Sequence, residues 1–150
     1  MTYDDIGRHL DAARSFDRAA VPLGMYLAWC ANLQLLSREF ADAHAALVMR
    51  VRFREITGAE LLVAGAAGRL DAAHLNEEGQ RFTAAYLPQY LDDFRAAFGV
   101  EPYDVKDDWD HYDRIAKRLT RKLMTTRQAD AGPQSRILGT TDQRWWRRKR

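Results

Sequence analysis

Apolar side chains recur at helical spacing along most of this chain, and no other feature of the sequence constrains the fold as strongly. The clearest example is an aromatic ridge with about four-residue spacing, formed by Phe82, Tyr86, Tyr90, Phe94 and Phe98. This spacing places side chains on one face of an α-helix. β-branched residues are scarce and do not alternate over a useful length. The sequence therefore predicts an all-α fold.

Capping signals indicate where individual helices begin and end. Ser37, Thr57 and Asn76 are predicted N-caps, because their short polar side chains can accept hydrogen bonds from free backbone N–H groups. Gly99 is expected to end the ridge helix, and Pro88 is expected to kink it or split it. Short helices gain most of their stability by packing an apolar face, so the pattern predicts an irregular single-domain bundle of roughly five to seven helices.

The periodic part of the chain ends before the C-terminus. A helical domain is predicted over residues 1–126, with a first helix over 3–14 and a last helix over 109–126. One short extended segment is expected within residues 100–106. Beyond this domain the periodicity is lost, and residues 127–150 are predicted to be a flexible basic aromatic tail.

The basic charge of the chain is concentrated in that tail. The formal net charge is +2, but residues 127–150 contain seven basic and two acidic residues. The remaining body contains 16 basic and 19 acidic residues. Because Trp145 and Trp146 adjoin the basic residues, contact between the tail and nucleic acid is one alternative function.

An acidic run interleaved with aromatic residues is the richest polar feature of the body. Carboxylates steer a basic partner during association, and aromatic side chains supply contact area. The sequence therefore predicts a surface that binds a protein partner. The predicted partner-binding residues are Tyr90, Asp93, Tyr103, Asp104, Asp107, Asp108, Trp109, Asp110 and Tyr112.

The sequence contains no recognisable catalytic or metal-binding motif. No two of its four histidines have the i, i+4 spacing that builds a zinc site on a helix. Cys30, the single cysteine, lies on an apolar helix face and is expected to be a buried structural thiol. We therefore predict no catalytic residue, no metal and no cofactor, and we expect a non-enzymatic protein. The alternative is an enzyme or nucleotide-handling domain whose site combines distant residues such as Glu77, Asp108 and His111.

A cytoplasmic location without a membrane partner is expected. One cysteine cannot form an internal disulfide, so the fold needs no oxidising compartment. The longest apolar runs, such as residues 61–67, are far shorter than the roughly 20 residues that span a bilayer.

Three segments occur in an order that characterises a known family. The first is residues 23–29 (Leu-Gly-Met-Tyr-Leu-Ala-Trp), and the second is residues 75–79 (Leu-Asn-Glu-Glu-Gly) with Phe82 and Tyr86. The third is Tyr103-Asp104-Val105 with Asp108-Trp109 and Tyr112-Asp113-Arg114-Ile115. This set, over about residues 3–124, resembles a family of small uncharacterised bacterial all-helical domains. The family commonly has an Asn and a Thr-His pair before the first segment, where this sequence has Arg18, Val21 and Pro22.

The resemblance implies an all-helical fold, and in size and style it implies a likeness to immunity proteins, which accompany bacterial toxins. The leading hypothesis is therefore a protein-binding domain that neutralises a basic toxin through the acidic aromatic surface.

Overall fold

The computed structural model describes the backbone of residues 1–149 and the side chains of residues 1–131. The described part contains seven α-helices and one small two-stranded sheet, which confirms the all-α fold. The helices are α1 (Leu10–Ala13), α2 (Phe16–Asn32), α3 (Arg38–Ala43), α4 (Ala45–Arg52), α5 (Gly58–Ala64), α6 (Glu77–Phe98) and α7 (Trp109–Lys149). The strands are β1 (Thr2–Asp5) and β2 (Arg69–Asp71), and 3-10 turns occur at Ile6–His9, Ala72–His74 and Pro102–Asp104.

The chain divides into two compact units, Met1–Arg118 and Leu119–Arg150. Helix α2 forms the centre of the first unit. Every side chain over residues 19–31 is buried, including the whole of Trp29. A helix that is apolar around its full circumference needs neighbours on all sides, and α2 packs against α1, α4, α5, α6 and the turn at Pro102–Asp104.

Helices α2 and α5 approach so closely that only glycine fits at their contact. A Cβ atom on Gly24 would lie 2.5 Å from the backbone nitrogen of Ala59, and a Cβ atom on Gly58 would overlap the carbonyl oxygen of Gly24. Because both positions lack a side chain, the two backbones meet directly. This contact places the start of α5 against the middle of α2.

The aromatic ridge lies on α6, as its spacing predicted, and its members contact one another in sequence order. Ring centroids are 5.2 Å apart for Phe82 and Tyr86, and 5.6 Å apart for Tyr90 and Phe94. The expected kink or split at Pro88 does not divide the helix, which is continuous over Glu77–Phe98. Proline removes one N–H donor to the residue four positions earlier; that residue, Ala84, is exposed, so water can satisfy its carbonyl.

The predicted N-caps are confirmed by hydrogen bonds. The side-chain oxygens of Ser37, Thr57 and Asn76 each accept a hydrogen bond from the backbone N–H of the residue three positions later. Gly99 ends α6 in a left-handed conformation with φ of 68°. Local chemistry alone therefore located most helix boundaries in the middle of the chain.

The prediction of a helix over residues 3–14 is wrong for the first half of that range. Residues Thr2–Asp5 form β1, which pairs antiparallel with β2, and the Thr2 hydroxyl donates to Asp71 at 2.6 Å. The extended segment expected within 100–106 is instead the 3-10 turn at Pro102–Asp104. At β1 a distant partner decided the backbone conformation, and a short apolar pattern carries no information about that partner.

Helix α7 continues past residue 126, where its end was predicted. Residues 127–131 are helical, and arginine, glutamine and alanine there are good helix formers. Most side chains of the predicted flexible tail, 127–150, are not among the described ones, and this includes the side chains of Trp145 and Trp146. Among the described residues, no helix combines the length and the hydropathy needed to cross a membrane.

Candidate binding groove

Three tyrosines of the predicted surface are core residues and expose almost no ring. Tyr90 is 2% exposed, and its hydroxyl donates to the carbonyl of Pro22 at 2.6 Å. The hydroxyl of Tyr112 accepts a bond from the Asn32 amide at 2.6 Å, and burial raises the pKa of Tyr112 to about 12. Tyr103 is also buried. The prediction that these three rings lie on the binding surface is therefore wrong. The rings pack in the interior, and the residues that remain at the surface are mainly carboxylates.

Trp109 is half-buried and makes a cation–π contact. The Arg54 guanidinium lies 4.9 Å from its ring centroid and also forms an ion pair with Asp113 at 2.6 Å. This hydrogen bond raises the pKa of Arg54. One face of the Trp109 ring is therefore covered by a residue of the same chain.

Several carboxylates of the acidic run have partners within the chain. Asp104 pairs with Arg18 at 3.6 Å, and Asp93 accepts a bond from the Tyr86 hydroxyl at 2.7 Å. Asp108 accepts bonds from the backbone N–H and the ring Nδ1 of His111, and the backbone bond is the main cause of its lowered pKa. Asp110 is exposed on the first turn of α7. The acidic run is thus not a single uncompensated patch.

A groove of about 550 Å³ brings carboxylates and exposed apolar side chains together. Its acidic lining residues are Asp17 of α2, Glu60 of α5 and Asp107 of the loop before α7. Phe16 and Val63 line the same groove and are 50% and 41% exposed. Its dimensions and mixed lining are typical of binding sites.

A second groove, of about 450 Å³, shares two lining residues with the first. Asp17 and Asp107 line both, and the second groove also contains Arg18, Asp104 and Lys106. The shared residues show that the two grooves adjoin each other. Asp17 and Asp107 thus lie where the two grooves meet, and we call the first groove the Asp107 groove.

Burial raises the pKa of the Asp107 carboxyl, and the negative charges of Glu60 and Asp108 raise it further, while a hydrogen bond from Thr57 opposes the shift. A raised carboxyl pKa means that folding disfavours the charged form. At neutral pH the folded protein therefore holds this charge at a cost in stability. Such groups concentrate at functional sites.

Replacing Asp107 with asparagine is expected to raise the free energy of unfolding at neutral pH, because the variant no longer desolvates a charge. The folded pKa lies above the unfolded pKa, so the advantage of the variant should begin to shrink as pH falls through the folded pKa and should vanish below the unfolded pKa. Urea unfolding at about pH 7 and about pH 3.5 measures this difference. Asp104→Asn is the matched control: its exposed ion pair is worth little. Equal effects of the two substitutions would contradict the explanation.

Sequence reasoning identified Asp107 but missed the other groove residues. Phe16, Asp17 and Glu60 were not predicted to belong to a binding surface. Val63 lies on α5 without any distinguishing motif. No local signal could have grouped them, because their proximity depends on the glycine contact between α2 and α5.

A chain of hydrogen bonds holds the loop that carries the acidic residues. His9 Nδ1 lies 2.6 Å from the Tyr103 hydroxyl, and His9 Nε2 lies 2.7 Å from Asp4 Oδ2. These bonds connect β1 and the following 3-10 turn to the turn at Pro102–Asp104. The hydrogen bonds therefore restrain the start of the loop that ends at Asp107.

The three residues named for the alternative composite site do not all lie together. Asp108 and His111 are in contact, but Glu77 is the first residue of α6, whereas Phe98, whose ring contacts His111, is the last. A helix rises about 1.5 Å per residue, so Glu77 lies roughly 30 Å along α6 from Phe98. Cys30 is fully buried, and burial raises the pKa of its thiol, as expected for a structural cysteine. Among the described residues, no group of three or more potential ligands is arranged to hold a metal ion.

A family model matches residues 2–106, which is most of the chain, and its description is Domain of unknown function (DUF7832). The chain belongs to the DUF7832 family. The matched part of this DUF7832 domain contains every lining residue of the groove except Asp107, which follows directly. No curated protein and no solved structure matches the chain.

Two of the three positions at which the resemblance implied a difference, Arg18 and Val21, lie at the second groove. Arg18 and Val21 line that groove, next to Asp17 and Asp104. Pro22 follows Val21 in the chain, and its carbonyl accepts a hydrogen bond from the Tyr90 hydroxyl. The segment from Arg18 to Pro22 is therefore part of the groove wall and of its support in the core.

Proposed function

We propose that this chain is a non-enzymatic protein-binding domain that recognises a basic protein partner through the Asp107 groove. The observation that supports this proposal most directly is the excess of carboxylates beside exposed apolar side chains in one concave site. Carboxylates raise the rate of encounter with a basic partner, and apolar contact area retains it. A basic toxin is one partner of this kind, in which case the domain would act as an immunity protein in the cytoplasm of a bacterium.

The charge balance of the groove favours a cationic partner. Three carboxylates line it, and Arg50 is the one basic residue among its described lining residues. Arg50 also pairs with Glu55 at 3.6 Å, so part of its charge is already compensated. The lining of the groove thus has more negative than positive charges, and its acidic residues come from three separate elements.

The test compares two triple variants that change the net charge equally. The groove variant carries Asp17→Asn, Glu60→Gln and Asp107→Asn, and the control variant neutralises Asp11, Asp42 and Asp92, which are exposed elsewhere. A partner is first captured with the full chain from cells that express it naturally. We expect the groove variant to slow association with that partner at least about tenfold at low salt, and the control to have a small effect.

Salt dependence provides the second measurement. The difference between the two triple variants should shrink as salt is raised, because screening removes the steering effect. Equal association rates for both variants at low salt would show that partner binding does not depend on the groove.

A further inference from the structure

The Asp107 groove combines a carboxylate with exposed apolar surface, and a single type of side chain can contact both. Asp107 is a half-buried carboxylate at the junction of two adjoining grooves. Phe16 and Val63 offer apolar surface in the same cavity. A ligand group that fits both must carry a positive charge at the end of an apolar stem.

Arginine meets these requirements better than lysine. Its planar guanidinium binds a carboxylate through two parallel hydrogen bonds and is more weakly hydrated than an ammonium group. Its methylene stem packs along apolar surface while the charged end reaches a polar partner. The carboxylates of Asp17 and Glu60 flank the same cavity and compensate further positive charge.

Resting on the proposed function, we infer that the Asp107 groove is the docking site for an exposed partner segment in which an arginine is flanked by aliphatic residues. The arginine guanidinium pairs with Asp107, and a neighbouring aliphatic side chain packs against Phe16 and Val63. Complementary charge and the apolar lining select this occupant. A cavity of about 550 Å³ is large enough for a few side chains and too small for a folded domain.

Isothermal titration of the full chain with three synthetic probes tests this assignment. The probes are acetyl-Leu-Arg-Leu-amide, the same peptide with citrulline in place of arginine, and acetyl-arginine-amide. Citrulline keeps the shape of the side chain and removes its charge. We expect the arginine peptide to bind at least about tenfold more tightly than either of the other probes, because one loses the charge-assisted bonds and the other the apolar contacts.

Matched variants locate the binding site on the protein. Asp107→Asn should weaken binding of the arginine peptide at least about tenfold, and Asp42→Asn, which removes an exposed carboxylate outside the groove, should leave the affinity unchanged. Val63→Ala should weaken binding severalfold, whereas Val100→Ala, at a similarly exposed valine elsewhere, should not. Amide chemical shifts should change at Ala20 and near Val63 on titration.

Four results would overturn the assignment. Equal affinity for the citrulline peptide would show that the guanidinium charge does not hold the peptide. Equal affinity for acetyl-arginine-amide would indicate a site for a small cation instead of a protein segment. Unchanged peptide affinity in Asp107→Asn would place any binding elsewhere. If the peptides fail while the groove triple variant still slows association with a whole partner, the arginine assignment is wrong and the proposed function stands.

Discussion

Replacing Trp29 with alanine is expected to lower the free energy of unfolding by about 4 kcal/mol. The side chain is fully buried in α2, and its ring centroid lies 5.4 Å from Phe82 and 5.7 Å from Tyr26. Truncation removes the contacts of the largest core residue and leaves a cavity between α2 and α6 that rigid helices cannot fill. Domains of this kind are stable by roughly 5–15 kcal/mol, so the loss is a large part of the total.

Urea unfolding followed by circular dichroism measures this loss, and Phe53→Ala is its control. Phe53 is also aromatic but is 71% exposed, so its truncation should change the free energy of unfolding by less than about 0.5 kcal/mol. A loss below about 1 kcal/mol for Trp29→Ala would mean that the core around α2 is not packed as described.

Replacing Gly58 with alanine is expected to destabilise the protein by about 3 kcal/mol, although helix propensity predicts the opposite sign. Alanine favours a helix over glycine by about 0.5–1 kcal/mol, and Gly58 is the first residue of α5. A Cβ atom there would overlap the carbonyl oxygen of Gly24 and press on the Cβ of Ala28. Two packed backbones must separate to relieve this overlap, and neither has a flexible side chain that can move away.

The same unfolding measurement decides between the two signs. Gly7→Ala is the comparison, because the nearest atom to its Cβ is Asp5 Oδ1 at 3.0 Å, the end of a side chain. We expect a small change there. A stabilised Gly58→Ala protein would show that the direct contact between α2 and α5 does not exist, and the shape of the Asp107 groove, which depends on α5, would then be wrong as well.

Local patterns were sufficient for the helices whose boundaries depend on neighbouring residues. The ridge of α6 was predictable because a helical face is set by spacing alone, and Asn76 and Gly99 mark its ends with chemistry that acts within one turn. The N-terminal segment was not predictable in this way. Strand β1 pairs with β2, almost 70 residues later, and Thr2 and Asp71 share no sequence signal.

The binding site shows the same division. Asp107 was among the residues predicted, but Tyr90 and Tyr112 were assigned to the partner-binding surface because they are interleaved with the acidic run. Their hydroxyls instead find acceptors and donors inside the protein, at Pro22 and Asn32, which allows the rings to be buried. Only the folded arrangement shows which polar groups have such partners.

The sequence by itself determined the helical class, the amphipathic faces and most helix ends, because these depend on contacts within one or two turns. Tertiary structure alone decided that Asp17, Glu60 and Asp107 share a groove, since they belong to elements up to 90 residues apart. Their meeting requires two glycines, Gly24 and Gly58, to let α2 and α5 touch. Long-range proximity of this kind arises from close packing, which no short stretch of sequence encodes.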